Sequence, residues 1–151
     1  MKIAGGVMLL ALAVVGCGKQ PVESDVINEV AKVSATSPYA VMDWTPISTS
    51  VNRGEGTMAT LFADESAVKH LRSGVAYGES DQIALVTWKQ REDPHWFGAR
   101  IPGEVVRVEI VTMGLAPTYG RFAGTPLVPE KTSDGDGGEK AILAMKPAWT
   151  P

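Results

Sequence analysis

The chain has 151 residues and a formal net charge of −3, from 14 Lys and Arg against 17 Asp and Glu. With no Lys/Arg cluster, it lacks the electrostatic footprint of a nucleic-acid binder and the basic patch that recognises anionic lipid. Its one cysteine excludes an intrachain disulfide and any metal or iron–sulfur site that needs several cysteines.

Lys2 precedes an apolar run from Ile3 to Val15, which ends in the small residue Gly16 beside Cys17. A charged start, a short apolar core and a small-residue cleavage point are the features of a secretory signal. The run falls short of the ~20 apolar residues that a membrane-spanning helix needs. Val14-Val15-Gly16-Cys17 resembles a bacterial lipobox, in which cleavage precedes the cysteine and its thiol takes a diacylglycerol thioether. That resemblance implies residues 1–16 as a lipoprotein signal peptide, Cys17 as the lipidation site and fatty acyl chains such as palmitate on it. The bilayer is then the first partner. Gly18, standing where Asp would retain a lipoprotein in the inner membrane, implies the outer membrane facing the periplasm.

Residues 17–33 read as a lipidated tether followed by a short helix over 26–33, where Val26, Ile27, Val30 and Val33 recur on one side and Asp25 could cap. The Ser/Thr/Pro-rich stretch 34–50 is expected to be extended or irregular, with Tyr39, Val41, Met42 and Trp44 able to reach a core. Asn52-Arg-Gly-Glu-Gly56 is turn chemistry, and Thr57–Phe62 reads as a strand. Asp64 is a natural N-cap for a helix running to about Arg72, stopped by Gly74 and apolar at Ala67, Val68 and Leu71.

Ile83–Trp88 is the clearest strand, rich in β-branched and aromatic residues. Residues 90–103, with Pro94 and Pro102, read as a polar connection. Glu104–Met113 follows as a long strand, with Val106, Val108 and Ile110 on one face and Val105, Arg107, Glu109 and Val111 on the other. A last strand is expected around Tyr119–Ala123, and residues 129–151 as a flexible C-terminal tail. Strands joined by short turns favour antiparallel pairing. The fold class expected is therefore α+β: an antiparallel sheet of about five strands with two or so short helices.

Several of these runs, in this order, resemble the cytochrome P-460 family, related to the beta type of cytochrome c′. They are Thr57–Phe62, the Gly74-terminated helix, Ile-Ala-Leu-Val-Thr-Trp-Lys-Gln-Arg-Glu-Asp-Pro-His-Trp-Phe-Gly-Ala-Arg-Ile-Pro-Gly (83–103), Val108–Val111 and Tyr119–Leu127. The resemblance covers about residues 40–128 and is most specific over 85–103; with its flanks it defines a domain at 34–128. It implies an antiparallel sheet with helices at its ends, often dimeric. In that family the sheet houses a c-type haem attached near the C-terminus and acts on hydroxylamine or nitric oxide. This sequence lacks C-x-x-C-H, has no histidine where the family's proximal ligand would stand, and offers no match for the crosslinking lysine. The fold carries over; the haem residues do not, and no cofactor is expected.

Of the two histidines, His70 reads as a solvated helix residue, two positions after Val68. His95, close to Glu92 and Asp93 and followed by Trp96 and Phe97, is a candidate axial ligand for noncovalent haem or for a metal, and equally an ordinary turn residue. Trp88, Arg91, Trp96, Phe97 and Arg100 form a candidate recognition cluster, since aromatic residues with Arg are enriched at binding hot spots. The same residues would serve as a core cluster beneath a loop. Asp134, Asp136 and Glu139 resemble half of a calcium loop without its full pattern. No nucleophile elbow or phosphate loop is present. Two functions stay open: a haem-less binding or structural module, with a homodimer or protein partner, and a noncovalent haem- or metal-binding redox protein.

Overall fold

The structure, a computed structural model, describes residues 27–33, 40–131 and 137–148. The signal peptide, Cys17 and its tether, Tyr39, Asp134 and Asp136 lie outside these residues. Six strands form one open antiparallel sheet in the order of the chain: β1 (Thr45–Asn52), β2 (Thr57–Ala63), β3 (Gln82–Glu92), β4 (Arg100–Thr112), β5 (Thr118–Ala123) and β6 (Val128–Pro129). Helix α1 (Glu65–Ser73) links β2 to β3, and helix α2 (Gly138–Ala144) follows β6. The fold is α+β. Among the described residues no helix is long and apolar enough to cross a membrane.

Local chemistry accounts for these boundaries. Asn52 Oδ1 accepts the Glu55 amide at 3.1 Å and Gly56 takes φ +63°, closing the β1–β2 hairpin. Asp64 caps α1 by accepting the Ala67 amide at 2.7 Å, and its second oxygen accepts the Gln82 amide at 3.0 Å, fastening the helix start to β3. Gly74, at φ +70°, ends α1 with its own amide on Leu71 and that of Val75 on His70.

Both faces of the sheet are covered. Alternation along β3 and β4 sends Ala84, Val86, Val108 and Ile110 to one face, where Val41, Phe62, Trp88 and Leu127 pack with them. It sends Ile83 and Val111 to the other, with Leu61, Ala67, Val68 and Ile142 of α2. The simple two-residue period fails at one place. A bulge shifts the register so that Trp88 pairs with Val105, and Val105 joins the face of Val108 instead of lying opposite it. Gly103 sits in this irregularity, where a Cβ would press to 3.0 Å from the Lys89 carbonyl.

Other departures from the sequence reading have equally local causes. The connection expected over 90–103 is only residues 93–99, because β3 runs to Glu92 and β4 begins at Arg100. Pro102 is tolerated inside β4 because β5 pairs only from Arg107 onward, leaving that half of β4 an edge. The helix expected over 26–33 is a single 3₁₀ turn at Glu29–Ala31. A second turn at Val41–Asp43 and strand β1 occupy what read as extended or irregular chain, and Met42, expected to reach the core, stays exposed. The stretch expected as a flexible tail holds β6 and α2, with Ile142 only 1% exposed.

Ile83 has no solvent exposure at the centre of the second core. Ile83→Ala should cost about 2–5 kcal/mol, read as a lowered urea midpoint with an unchanged slope.

Candidate functional site

The β3–β4 hairpin carries the residues that the sequence singles out, and it divides them. Trp88 is 3% exposed, belongs to the core and donates its indole N–H to the Ala31 carbonyl at 2.8 Å. Arg91 donates to Asn28 Oδ1 at 3.0 Å, while Asn28 donates to the Pro102 carbonyl at 2.7 Å. Arg100 pairs with Glu92 at 3.4 Å across the ladder. Only Trp96 and Phe97 remain as an outward-facing pair, 73% and 110% exposed at the hairpin tip.

The tip is an ordered turn. Asp93 Oδ1 accepts the His95 amide at 2.8 Å, the Asp93 amide donates to the Ala99 carbonyl, and that of Ala99 to the Trp96 carbonyl. Gly98 supplies the positive φ of +79° that closes it. His95 is exposed on this turn, and no apolar pocket surrounds its ring. These surroundings do not fit a haem, which needs an axial ligand inside an apolar cavity. Nor do the residues fit covalent attachment, since Cys17 is the only thiol.

Two polar constellations went unrecognised in the sequence. The first lies at the opposite end of the sheet. His70 is not simply solvated: its Nδ1 lies 2.7 Å from Oδ2 of Asp81, which has no solvent exposure. The Gly78 amide donates to the same oxygen at 2.7 Å. Burial pushes the Asp81 carboxyl up, but hydrogen bonds from Ser66, the Gly78 amide and His70, with the charge of His70, bring it below its ordinary value. The carboxylate then fixes the tautomer, so Nδ1 carries the proton. A side chain at Gly78 would collide with the His70 ring. The pair ties α1 to the turn before β3, and no hydroxyl or thiol nucleophile is hydrogen-bonded to its imidazole among the described residues.

The second constellation is Glu109, 4% exposed in β4. Its carboxylate accepts from the Tyr119 hydroxyl, from Arg107 Nε at 3.0 Å and from Arg121 Nη2 at 3.5 Å. Burial, then the hydrogen bond to Glu109, raise Tyr119 above the usual phenol value against the opposing pull of Arg121, so the phenol stays a donor. Glu109 pairs in register with Arg121, and Arg107 is two residues away on the same face. That pairing is readable only once the β4–β5 register is known. Both carboxylate oxygens have partners, so the cluster holds structure together and offers no free base. Gly138, the first residue of α2, lies directly against it; a Cβ there would overlap the Tyr119 hydroxyl and approach Glu109 Oε1 to 3.2 Å.

Among the described residues no group of three or more His, Cys, Asp or Glu could hold a metal ion. A groove of about 320 Å³ opens between the first 3₁₀ turn and the β5–β6 turn, lined by Val30, Lys32, Glu104, Val105 and residues 124–127. It mixes apolar walls with one charge of each sign and lacks a cluster of groups suited to catalysis.

Two measurements check these assignments. In an exposed helix Gly→Ala stabilises by about 0.5–1 kcal/mol; Gly138→Ala should instead destabilise by about 1–3 kcal/mol through overpacking on Tyr119, seen in thermal unfolding. Asp81→Asn should cost about 1–3 kcal/mol at neutral pH. Because folding lowers the Asp81 pKa, its contribution is fully present above the ordinary value of 3.8 and fades as pH falls through the folded-state value. The stability gap between wild type and Asp81→Asn should therefore close below that pH in urea titrations.

No protein-family model matches the chain, and no curated protein matches it at a significant level.

Proposed function

We propose that the chain is a bacterial lipoprotein, held at a membrane through acylated Cys17 and facing the periplasm from the outer membrane. Its domain is a haem-less relative of the cytochrome P-460 fold that works as a binding or structural module. The signal-like run ending at Val14-Val15-Gly16-Cys17 supports the anchor. An open antiparallel sheet with a helix between β2 and β3 and a long β3–β4 hairpin agrees with the family's general plan.

The observation that carries the binding role is the outward pair Trp96 and Phe97 on an ordered hairpin tip. Large aromatic side chains on a rigid support contribute contact area with little ordering cost. A redox role would need His95 enclosed in an apolar cavity, and it stands on an exposed turn. Both partly buried polar groupings, around Asp81 and Glu109, are explained by the packing of α1 and α2.

Protein made in a haem-supplying bacterial host should incorporate labelled palmitate, fractionate with membranes and show no Soret absorption. Cys17→Ala should lose the label and the membrane association, and His95→Ala should leave the spectrum unchanged. A Soret band that disappears in His95→Ala would overturn the haem-less reading.

A further inference from the structure

The lipid-anchored end of the chain enters the folded domain beside the aromatic hairpin tip. Asn28 is the joint: its side-chain amide donates to the Pro102 carbonyl at 2.7 Å, and its oxygen accepts from Arg91 at 3.0 Å. Arg91 and Pro102 belong to the last paired positions of β3 and β4 before the turn at 93–99. Asn28, the base of the hairpin and the tip therefore lie at one end of the sheet. The turn at 113–117, with Leu115 at 105% exposure, lies at the other.

We propose that Trp96 and Phe97 form a second membrane contact, seated in the interfacial layer of the bilayer to which Cys17 is attached. This rests on the lipoprotein reading above. Only Ile101 and Arg100 separate Pro102 from the turn at 93–99, so Trp96 and Phe97 project a short way beyond the joint. Gly18–Ile27 supplies ten residues between the acylated cysteine and Asn28. Ten residues reach at most roughly 33–36 Å at full extension. That reach exceeds the short projection of the tip, so the anchor does not hold Trp96 and Phe97 away from the headgroups. A shorter tether would hold the hairpin away from an upright approach, and a much longer one would dilute the contact.

The chemistry of the tip suits that depth. Trp is favoured at the membrane interface, where an apolar ring and a polar N–H are both accommodated. Ile27, next to the joint in the chain, adds a further apolar side chain that is 52% exposed. Charge is balanced: Arg91 and Arg100 stand against Glu92 and Asp93, with Arg100 paired to Glu92. The contact is accordingly apolar and indifferent to anionic lipid. Two aromatic side chains bind a bilayer weakly by themselves, but the anchor makes their insertion intramolecular and raises their effective concentration to about the millimolar range.

The test uses the full-length lipidated protein in vesicles of phosphatidylcholine and phosphatidylethanolamine. Cys17 is blocked by acylation, so Phe97→Cys or Leu115→Cys provides one reactive thiol for an environment-sensitive fluorophore. Both positions are fully exposed, so neither variant disturbs packing; Trp96→Cys repeats the measurement at the neighbouring position. The expected result is that label at 97 or 96 is quenched several-fold more by lipid-borne nitroxide than label at 115, equally at low and high salt. If the protein floats with the vesicles but all three positions are quenched alike, the tip contact is overturned while the anchor stands. Label at 97 shielded in intact cells yet accessible on pure vesicles also overturns it, assigning the tip to a protein partner. Failure to float, with an unmodified mass at Cys17, overturns the lipoprotein reading and this inference with it.

Discussion

Pairing of β3 with β4 is the constraint on which the rest of the molecule depends. Its ladder runs from Gln82 opposite Thr112 to Glu92 opposite Arg100, and every other large element packs on it or hydrogen-bonds to its edges. It is buried on both faces in its first half, where Ile83 and Val111 meet one core and Ala84, Val86, Val108 and Ile110 the other. Past the bulge it leaves the sheet's shelter and projects as a hairpin. One pair of strands thus supplies both the two-sided core and the arm that carries Trp96 and Phe97. Rigidity at the core end is what allows the arm to hold its aromatic residues away from the protein surface.

Polar groups then determine how the helices lie on that platform. Asp64, Asp81 and Glu109 each have a carboxylate directed at backbone or side-chain donors from a different element, Asp81 at His70 of α1. A buried carboxylate is costly unless it is hydrogen-bonded, so the contacts of Asp81 and Glu109 fix geometry more narrowly than apolar contact does. Asp81 fixes where α1 meets the turn preceding β3. Glu109, through Tyr119, presents a polar surface so close that only glycine fits at the start of α2. Apolar burial draws the helices to the sheet, and these carboxylates select one seating among several.

Much of the fold is legible in the sequence wherever a local rule acts alone. The Asp64 cap, the Gly74 stop, the turn at 53–56 and the strands read at 57–62 and 83–88 follow from cap chemistry, glycine and β-branched runs. Strand β1 was hidden because it lies at an edge with only Ile47 buried, so its Ser and Thr residues show no alternation. The extended ends of β3 and β4 were hidden because Pro94 and Pro102 read as loop signals, and an edge position that accepts Pro102 is a tertiary fact. The candidate recognition residues separated for the same kind of reason: Trp88 and Trp96 share a residue type and a neighbourhood, yet alternation with Ala84 and Val86 puts one in the core while the turn sends the other outward. His70 and Asp81, eleven residues apart, meet only because α1 folds back along β3.

The way the sheet's borders are finished has a consequence for a chain concentrated on a two-dimensional surface, as proposed. An open sheet invites a neighbour to add a strand wherever a run of backbone groups is left unpaired. Here β1 has Pro46 as its second residue and a register shift before Ser48. The free half of β4 contains Pro102, whose carbonyl is already taken by Asn28. At the far border β6 is two residues long and ends in Pro129. Each border is interrupted before it can offer a long ladder, which disfavours edge-to-edge polymerisation even where copies of the chain are crowded together.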